Sequence, residues 1–259
     1  MTAVKALQTL TAPVEDYLKA IFEIEHATDP ERPSAAGTNE IAQALGIAPA
    51  SVTGMLRRLA ELGLISYERY RGVRLSEAGR RAALRTIRRH RVIEAYLTKA
   101  LGYPWDRVHD EAERLEHSAS EDLIDRMAAA IGEPATDPHG APIPTREGKV
   151  DAPSLLALLD VAVGSVVRVR RVGDKDPERL RYLAQLGVTP GADVHVVARA
   201  PFGGPITLRI VREGNQGHAA GRHQQRARQR AIGPALAAEV FVEARPGPHR
   251  QDASRKREG

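Results

Sequence analysis

The sequence predicts an α+β fold: a helical N-terminal half that contains a winged helix-turn-helix, then a proline-rich break and a small β-barrel. Three observations predict it. Apolar residues recur at helical spacing through most of residues 13–131, two of these helices are joined by a very short turn, and beyond residue 160 the pattern changes to short alternating runs. With 259 residues the chain is long enough for two or three modest cores.

Residues 13–27 form an amphipathic helix by pattern, since Val14, Tyr17, Leu18, Ile21, Phe22 and Ile24 share a face after Pro13. Residues 29–37, rich in Pro, Ser and Gly, are the loop that ends it. A short helix follows over residues 38–47, with Thr38 as N-cap and Gly46 as its stop, and a second spans 49–63, closed by Gly63. So short a turn between two helices is the mark of a helix-turn-helix. Residues 64–75 alternate about a Tyr70-Arg71-Gly72 turn, which reads as a β-hairpin, or wing. Residues 76–79 then cap a helix that runs to about residue 100, and further helical stretches reach Ile131. The proline-rich residues 133–153 read as a linker. Beyond it, residues 165–172, 193–198, 206–211 and 238–242 alternate as strands and 177–186 as a helix, which together make a small β-barrel. The polar residues 246–259 read as a disordered tail, and 214–230 as an exposed basic loop. The expected partition is 1–78 for the DNA-binding unit, 79–145 for a helical unit, 146–160 for the linker and 161–245 for the β-rich domain.

The densest chemistry lies at residues 109–117. On a helix, His109, Glu113, Glu116 and His117 fall within an arc of roughly 100°. Ala112, Leu115, Ala119 and Leu123 group beside that arc, which would set the donors at the edge of a buried face. The residues alone leave two readings open: a metal-ligand face, or a solvated charged helix with incidental histidines. The chain has no cysteine, so disulfides, thiolate sites and cysteine nucleophiles are excluded, and any metal must be held by oxygen and imidazole nitrogen. That donor set suits Mn(II) or Fe(II) better than a structural zinc cage. The chain lacks an apolar run of membrane-spanning length and a signal-peptide pattern, so a cytoplasmic protein with no membrane partner is expected.

The formal net charge is +5 and the pI about 9.7, which favours a polyanionic partner. Arg57 and Arg58 lie in the candidate recognition helix, and Arg69, Arg71 and Arg74 in the wing, where backbone phosphates would be met. Near the start of the recognition helix the small residues Ala50, Ser51 and Gly54, with Thr53 beside them, permit close approach to base edges. Thr38, at the start of the preceding helix, joins this set. The arginines of residues 57–91 as a whole read either as a phosphate-binding surface or as a solvated helix face.

Residues 14–21, 51–56, 89–94, 108–117 and 137–144 together resemble the diphtheria toxin repressor family, in particular its manganese-responsive branch. The resemblance implies a winged helix-turn-helix, an all-helical dimerisation domain and an SH3-like domain. It implies a regulatory metal site from Asp16, Glu113, Glu116 and His117, where iron-type members place methionine and cysteine at the positions of Asp16 and Glu113. A second site is implied at His90, Glu94 and His109, to which Asp176 of the SH3-like domain would add an oxygen. Two positions depart from the family pattern: Lys19 stands where some manganese-type members carry glutamate, and Arg179 where glutamine is usual. His139 reads as a turn residue and not a donor. The expected function is therefore a homodimeric repressor of metal-uptake and homeostasis genes that binds a palindromic operator, with Mn(II), or else Fe(II), as corepressor and no small organic substrate. Two alternatives stand beside it: a metal-independent winged-helix transcription factor and a metalloenzyme. The zincin motif is missing, and Glu113 is followed at i+3 by Glu116 and not by the histidine of di-iron bundles, so no enzyme is expected.

Overall fold

The computed structural model describes residues 10–26, 33–68, 72–151, 153–211 and 229–244. The chain divides into two compact units, Met1–Ser154 and Leu155–Gly259.

The first unit opens with α1 (Ala12–Glu25), which buries Val14, Tyr17, Leu18 and Ile21. Helices α2 (Thr38–Leu45) and α3 (Pro49–Glu61) follow, and the turn between them is set by Gly46 in the left-handed region, φ 65°. The cap of α2 differs from expectation, because Gly37 holds the N-cap position and Thr38 is the first helical residue. The Glu40 carboxylate accepts from the Gly37 N–H at 2.7 Å, so the helix start is held by the glutamate half of a capping box and not by the threonine hydroxyl. Strands β1 (Ile65–Glu68) and β2 (Gly72–Leu75) pair antiparallel as the wing, and an Ala36–Val73 bridge adds a third short rung. Leu18, Ile21, Ile41, Val52, Leu56, Leu59 and Val73 close the core, each contributing roughly 1.5–3 kcal/mol by burial.

Helix α4 (Glu77–Leu101) starts where the Ser76 hydroxyl accepts from the Gly79 N–H, and it belongs to two cores. Ala82 and Ala83 pack in the winged-helix core, whereas Val92, Ile93 and Leu97 pack with α5 (Val108–Leu115) and α6 (Glu121–Ala130) through Val108, Ala112, Ile124 and Ala128. The arginines of α4 divide: Arg80 and Arg81 are exposed, as a solvated face would have them, and the two further along are not. Arg88 and Arg89 are buried: Arg88 donates to Asp125 and the Pro144 carbonyl, Arg89 to Glu15 and Glu121. The proline-rich segment is not a free linker up to residue 145, because Arg91 donates to the Pro142 carbonyl, Ile143 joins the helical core, and His139 and Ala141 are buried. Proline carbonyls, unopposed by any N–H of their own, serve here as acceptors for α4.

In the second unit, β3 (Leu156–Ala157), a 3₁₀ turn (Leu158–Asp160), β4 (Val166–Val172), α7 (Pro177–Leu186), β5 (Asp193–Arg199), β6 (Ile206–Val211), β7 (Gln229–Ile232), α8 (Pro234–Ala237) and β8 (Val240–Ala244) follow one another. The strands form one antiparallel sheet in the order β3-β8-β4-β5-β6-β7. Among the described residues the pairing runs from β3 at one end to β7 at the other, the antiparallel sheet expected of the SH3-like unit. Most of the basic loop and the tail from residue 245 onward lie outside the described residues, but Gln229 and Arg230 are strand residues paired with β6. No helix among the described residues is long and apolar enough to cross a membrane.

Candidate metal centre

Helix α1 has two working faces. Val14, Tyr17, Leu18 and Ile21 point into the winged-helix core, while Glu15, Asp16 and Lys19, within one arc of about 100°, turn toward α4 and the end of α5. Across from them, α5 ends at Leu115, and Glu116 and His117 follow in the turn beyond it. Glu116 keeps helical dihedrals, φ −59° and ψ −31°, so the spacing of the donors survives the end of the helix. The expected apolar edge is different: Leu115 and Leu123 are exposed, at 39% and 43%, and Val108 and Ala112 do the burying.

Asp16, Glu116 and His117 offer one donor atom each within 4.8 Å of one another. His117 Nε2 lies 2.8 Å from Asp16 Oδ1 and 3.5 Å from Glu116 Oε1, and its Nδ1 lies 2.7 Å from Glu15 Oε2. A carboxylate on the far nitrogen is the arrangement that fixes the ring of a metal-ligating histidine, and Glu15 is itself fixed by Arg89 at 2.6 Å. Two oxygens and an imidazole nitrogen beside a fully buried Glu116 fit a hard divalent ion. Burial raises the Asp16 carboxyl above its ordinary value, against the pull of His117.

The second group, His90, Glu94 and His109, is also assembled. Glu94 Oε1 lies 3.1 Å from His90 Nε2 and 3.2 Å from His109 Nδ1. Burial alone would raise Glu94, yet the imidazoles of His109, His139 and His90 around it hold it well below the usual carboxylate range. Burial alone would lower His90, but bonds to Glu116 and Glu94 lift it to about 9. Glu113 does not join Asp16, Glu116 and His117 as the resemblance implied. It groups instead with His90 and His109, 3.8 Å from each ring, and its Oε1 is held by Lys19 at 2.7 Å.

Two further residues belong to this centre: Lys19, marked in the sequence as a departure from the family pattern, and His139, read there as a turn residue. Lys19 sits between the groups, and its pull on the neighbouring carboxylates holds Glu113 below its ordinary value despite burial. His139 is fully buried, its Nε2 2.7 Å from the Trp105 carbonyl and its Nδ1 3.7 Å from Glu94, so it is a buried partner of a candidate ligand although it stands in a turn. Asp176, in the second unit, caps α7: its carboxylate accepts from the Glu178 and Arg179 N–H groups and pairs with Arg179.

On the DNA-binding face, Ala50, Ser51, Gly54, Arg57 and Arg58 are exposed along one arc of α3, opposite the buried Val52, Leu56 and Leu59, and Thr53 is half-buried between. Thr38 is half-buried at the start of α2. Arg74 is exposed with its guanidinium donating to the Pro33 carbonyl at 3.0 Å, whereas Arg69 and Arg71 lie outside the described residues.

A winged helix-turn-helix whose first helix also lines a carboxylate and histidine centre defines a class: metal-responsive DNA-binding regulators. The comparisons make that class specific. Residues 9–73 match the iron dependent repressor N-terminal DNA binding domain, residues 76–145 the iron dependent repressor metal binding and dimerisation domain, and residues 156–244 the FeoA domain. The iron-dependent repressor IdeR of Mycobacterium tuberculosis (strain ATCC 25618 / H37Rv) is 32% identical over 217 residues, covering 79% of this chain and 91% of its own length. The HTH-type transcriptional regulator MntR of Lysinibacillus sphaericus is 32% identical over 121 residues, 47% of this chain and 83% of its own. A solved manganese-dependent transcriptional repressor in complex with manganese superposes with a TM-score of 0.77 at 35% identity, covering 89% of this chain and 99% of that one. The chain belongs to the diphtheria toxin repressor family of metal-dependent transcriptional repressors.

Proposed function

We propose that this repressor uses Mn(II) as corepressor, with Fe(II) as the second choice, and binds a palindromic operator as a homodimer to control metal uptake. The observation that carries this reading is the Asp16–Glu116–His117 group, in which an all-oxygen-and-nitrogen donor set joins α1 of the DNA-binding core to the turn after α5. A bound divalent ion supplies the positive charge that lets two carboxylates and an imidazole share one centre. Asp16 then anchors α1, Glu15 holds the His117 ring, and the position of α2 and α3 is set against the helical unit. Ordering the two recognition helices in advance removes a cost that a loosely held dimer meets on binding DNA. Leu101, Tyr103, Leu115 and Leu123, all exposed on the helical segment, are the apolar surface we assign to the dimer contact. The expected result is that operator binding by the full chain rises at least tenfold on adding Mn(II) over the same protein in chelator. Affinity that is the same with chelator and with Mn(II) would instead support a metal-independent winged-helix factor.

The pH dependence follows from His90. With its pKa lifted to about 9, the metal-free ring holds a proton at pH 7, and a ligating imidazole must lose it. Raising the pH from 6 toward 9 therefore tightens metal binding at the second group, by up to about tenfold per pH unit. Calorimetry in buffers of different ionisation enthalpy should detect proton release on metal uptake. A pH-independent affinity with no proton release would refute it.

A further inference from the structure

Lys19 occupies a position that the donors around it would otherwise offer to a cation. Its Nζ lies 2.7 Å from Glu113 Oε1 and 3.1 and 3.0 Å from the two Glu116 oxygens, and the His90 ring, whose Nδ1 donates to Glu116 Oε2 at 2.6 Å, stands beside it with Nδ1 3.2 Å away. The side chain is only 12% exposed, and Glu116 is fully buried. Two carboxylates, one on α5 and one in the turn after it, converge on one ammonium reaching in from α1. Glu116 is at the same time the shared wall of both groups: Oε1 faces His117 at 3.5 Å, and Oε2 faces His90 at 2.6 Å. A carboxylate flanked in this way by two sets of donors is the shape of a bridge between two metal ions. Here the space on the His90 side of that bridge is taken by the ammonium.

We propose that Lys19 is an internal cation that keeps the metal at Asp16, Glu116 and His117 a single isolated ion and prevents a carboxylate-bridged pair. The inference rests on the metal-sensor reading above and adds to it the number and spacing of the ions. A monovalent group at hydrogen-bonding distance neutralises Glu113 and part of Glu116 without drawing the donors to the roughly 2.0–2.3 Å that a divalent ion requires. A second ion between His90, Glu113 and Glu116 would have to displace Nζ from all of its partners. The second group then binds metal, if loaded, through the far side of His90 with Glu94 and His109, where Nε2 is the available ring nitrogen.

The test is metal stoichiometry and magnetic coupling on the full chain, using Mn(II) as the probe. Metal content after equilibrium dialysis is read by elemental analysis, and the spin state by electron paramagnetic resonance. Wild type should show the resolved hyperfine pattern of isolated Mn(II) at an intensity equal to the metal content. Lys19→Glu, which removes the cation and supplies a further carboxylate, should take up one more Mn(II) per chain, and its signal should fall below the metal content because two ions couple. Lys19→Gln guards against misfolding of the first variant, since it removes the charge while keeping a polar end on a side chain one atom shorter; it should also gain an ion, bound more weakly. Circular dichroism confirms that each variant folds. Wild type that already holds a coupled pair, or a folded Lys19→Glu or Lys19→Gln that gains no ion, overturns the inference while leaving the metal-sensor reading intact. Wild type that takes up no Mn(II) at all overturns that reading and this one with it.

Discussion

Glu116→Gln should weaken Mn(II) binding by about 100-fold or more, a loss larger than that from removing an outer-shell partner of a ligand. Glu116 is fully buried, and its two oxygens serve His117, His90 and Lys19 together. The amide keeps the shape and hydrogen-bonding reach of the side chain but supplies no charge, so the measurement isolates electrostatics from packing. The effect also appears in stability. At a Mn(II) concentration 100 times the wild-type dissociation constant, linkage stabilises the wild type by about 2.7 kcal/mol, and a variant bound 100-fold more weakly gains only about 0.4 kcal/mol. Without metal the variant leaves Lys19 and His90 with one anionic partner fewer each, Glu113 and Glu94 remaining, and loses about 1–3 kcal/mol. Thermal unfolding with and without Mn(II) should therefore show a lower starting point and a nearly absent metal shift. An undiminished metal shift would show that Glu116 is not a ligand.

Local periodicity made much of this molecule legible. The helix-turn-helix, the Gly46 and Gly63 stops, the Ser76 cap, the strands of the second unit and the convergence of Asp16, Glu116 and His117 all rest on spacings of a few residues or on the family motif. What was not legible depends on contacts between distant segments. Lys19 meets its partners across 71 to 97 residues, and nothing in the pattern of α1 distinguishes it from a solvated lysine. The arginines of α4 looked like a surface because charge runs usually are one, yet Arg88 and Arg89 find carboxylates on α6 and α1 and become part of the interior. His139 looked like an incidental turn residue because its burial is made by Trp105 and Glu94, not by its neighbours. The rotation of Glu113 toward Lys19 has the same origin, since spacing fixed the arc it occupies but not the cation that would claim it.

Gly79→Ala should be the most damaging small substitution in the DNA-binding half. A Cβ at this position would stand 2.0 Å from the Leu64 carbonyl oxygen and 3.3 Å from Leu75 Cδ2, with no flexible side-chain end to give way at the carbonyl. That carbonyl already accepts from the Ser76 N–H at 2.9 Å, so relieving the clash also endangers a bond that joins the end of the recognition helix to the start of α4. Overpacking of this kind costs about 3 kcal/mol, and the lost bond about 1 kcal/mol more. For a chain of this size the midpoint should fall by roughly 10 °C. The clash lies at the junction through which α4 meets the wing, far along the helix from His90 and Glu94, so the two functions should separate. Mn(II) affinity should stay within a few-fold of wild type while operator affinity falls at least tenfold. Gly54 provides the contrast, because a Cβ there meets nothing within 4 Å on an exposed helical face. Gly54→Ala should stabilise the fold by about 0.5–1 kcal/mol through helix propensity alone, while placing a methyl group where α3 would face DNA. If Gly79→Ala instead left stability and operator binding unchanged, the tight seam between the wing and α4 could not be what holds the recognition helix in place, and the coupling would have to run through α1 and Asp16 alone.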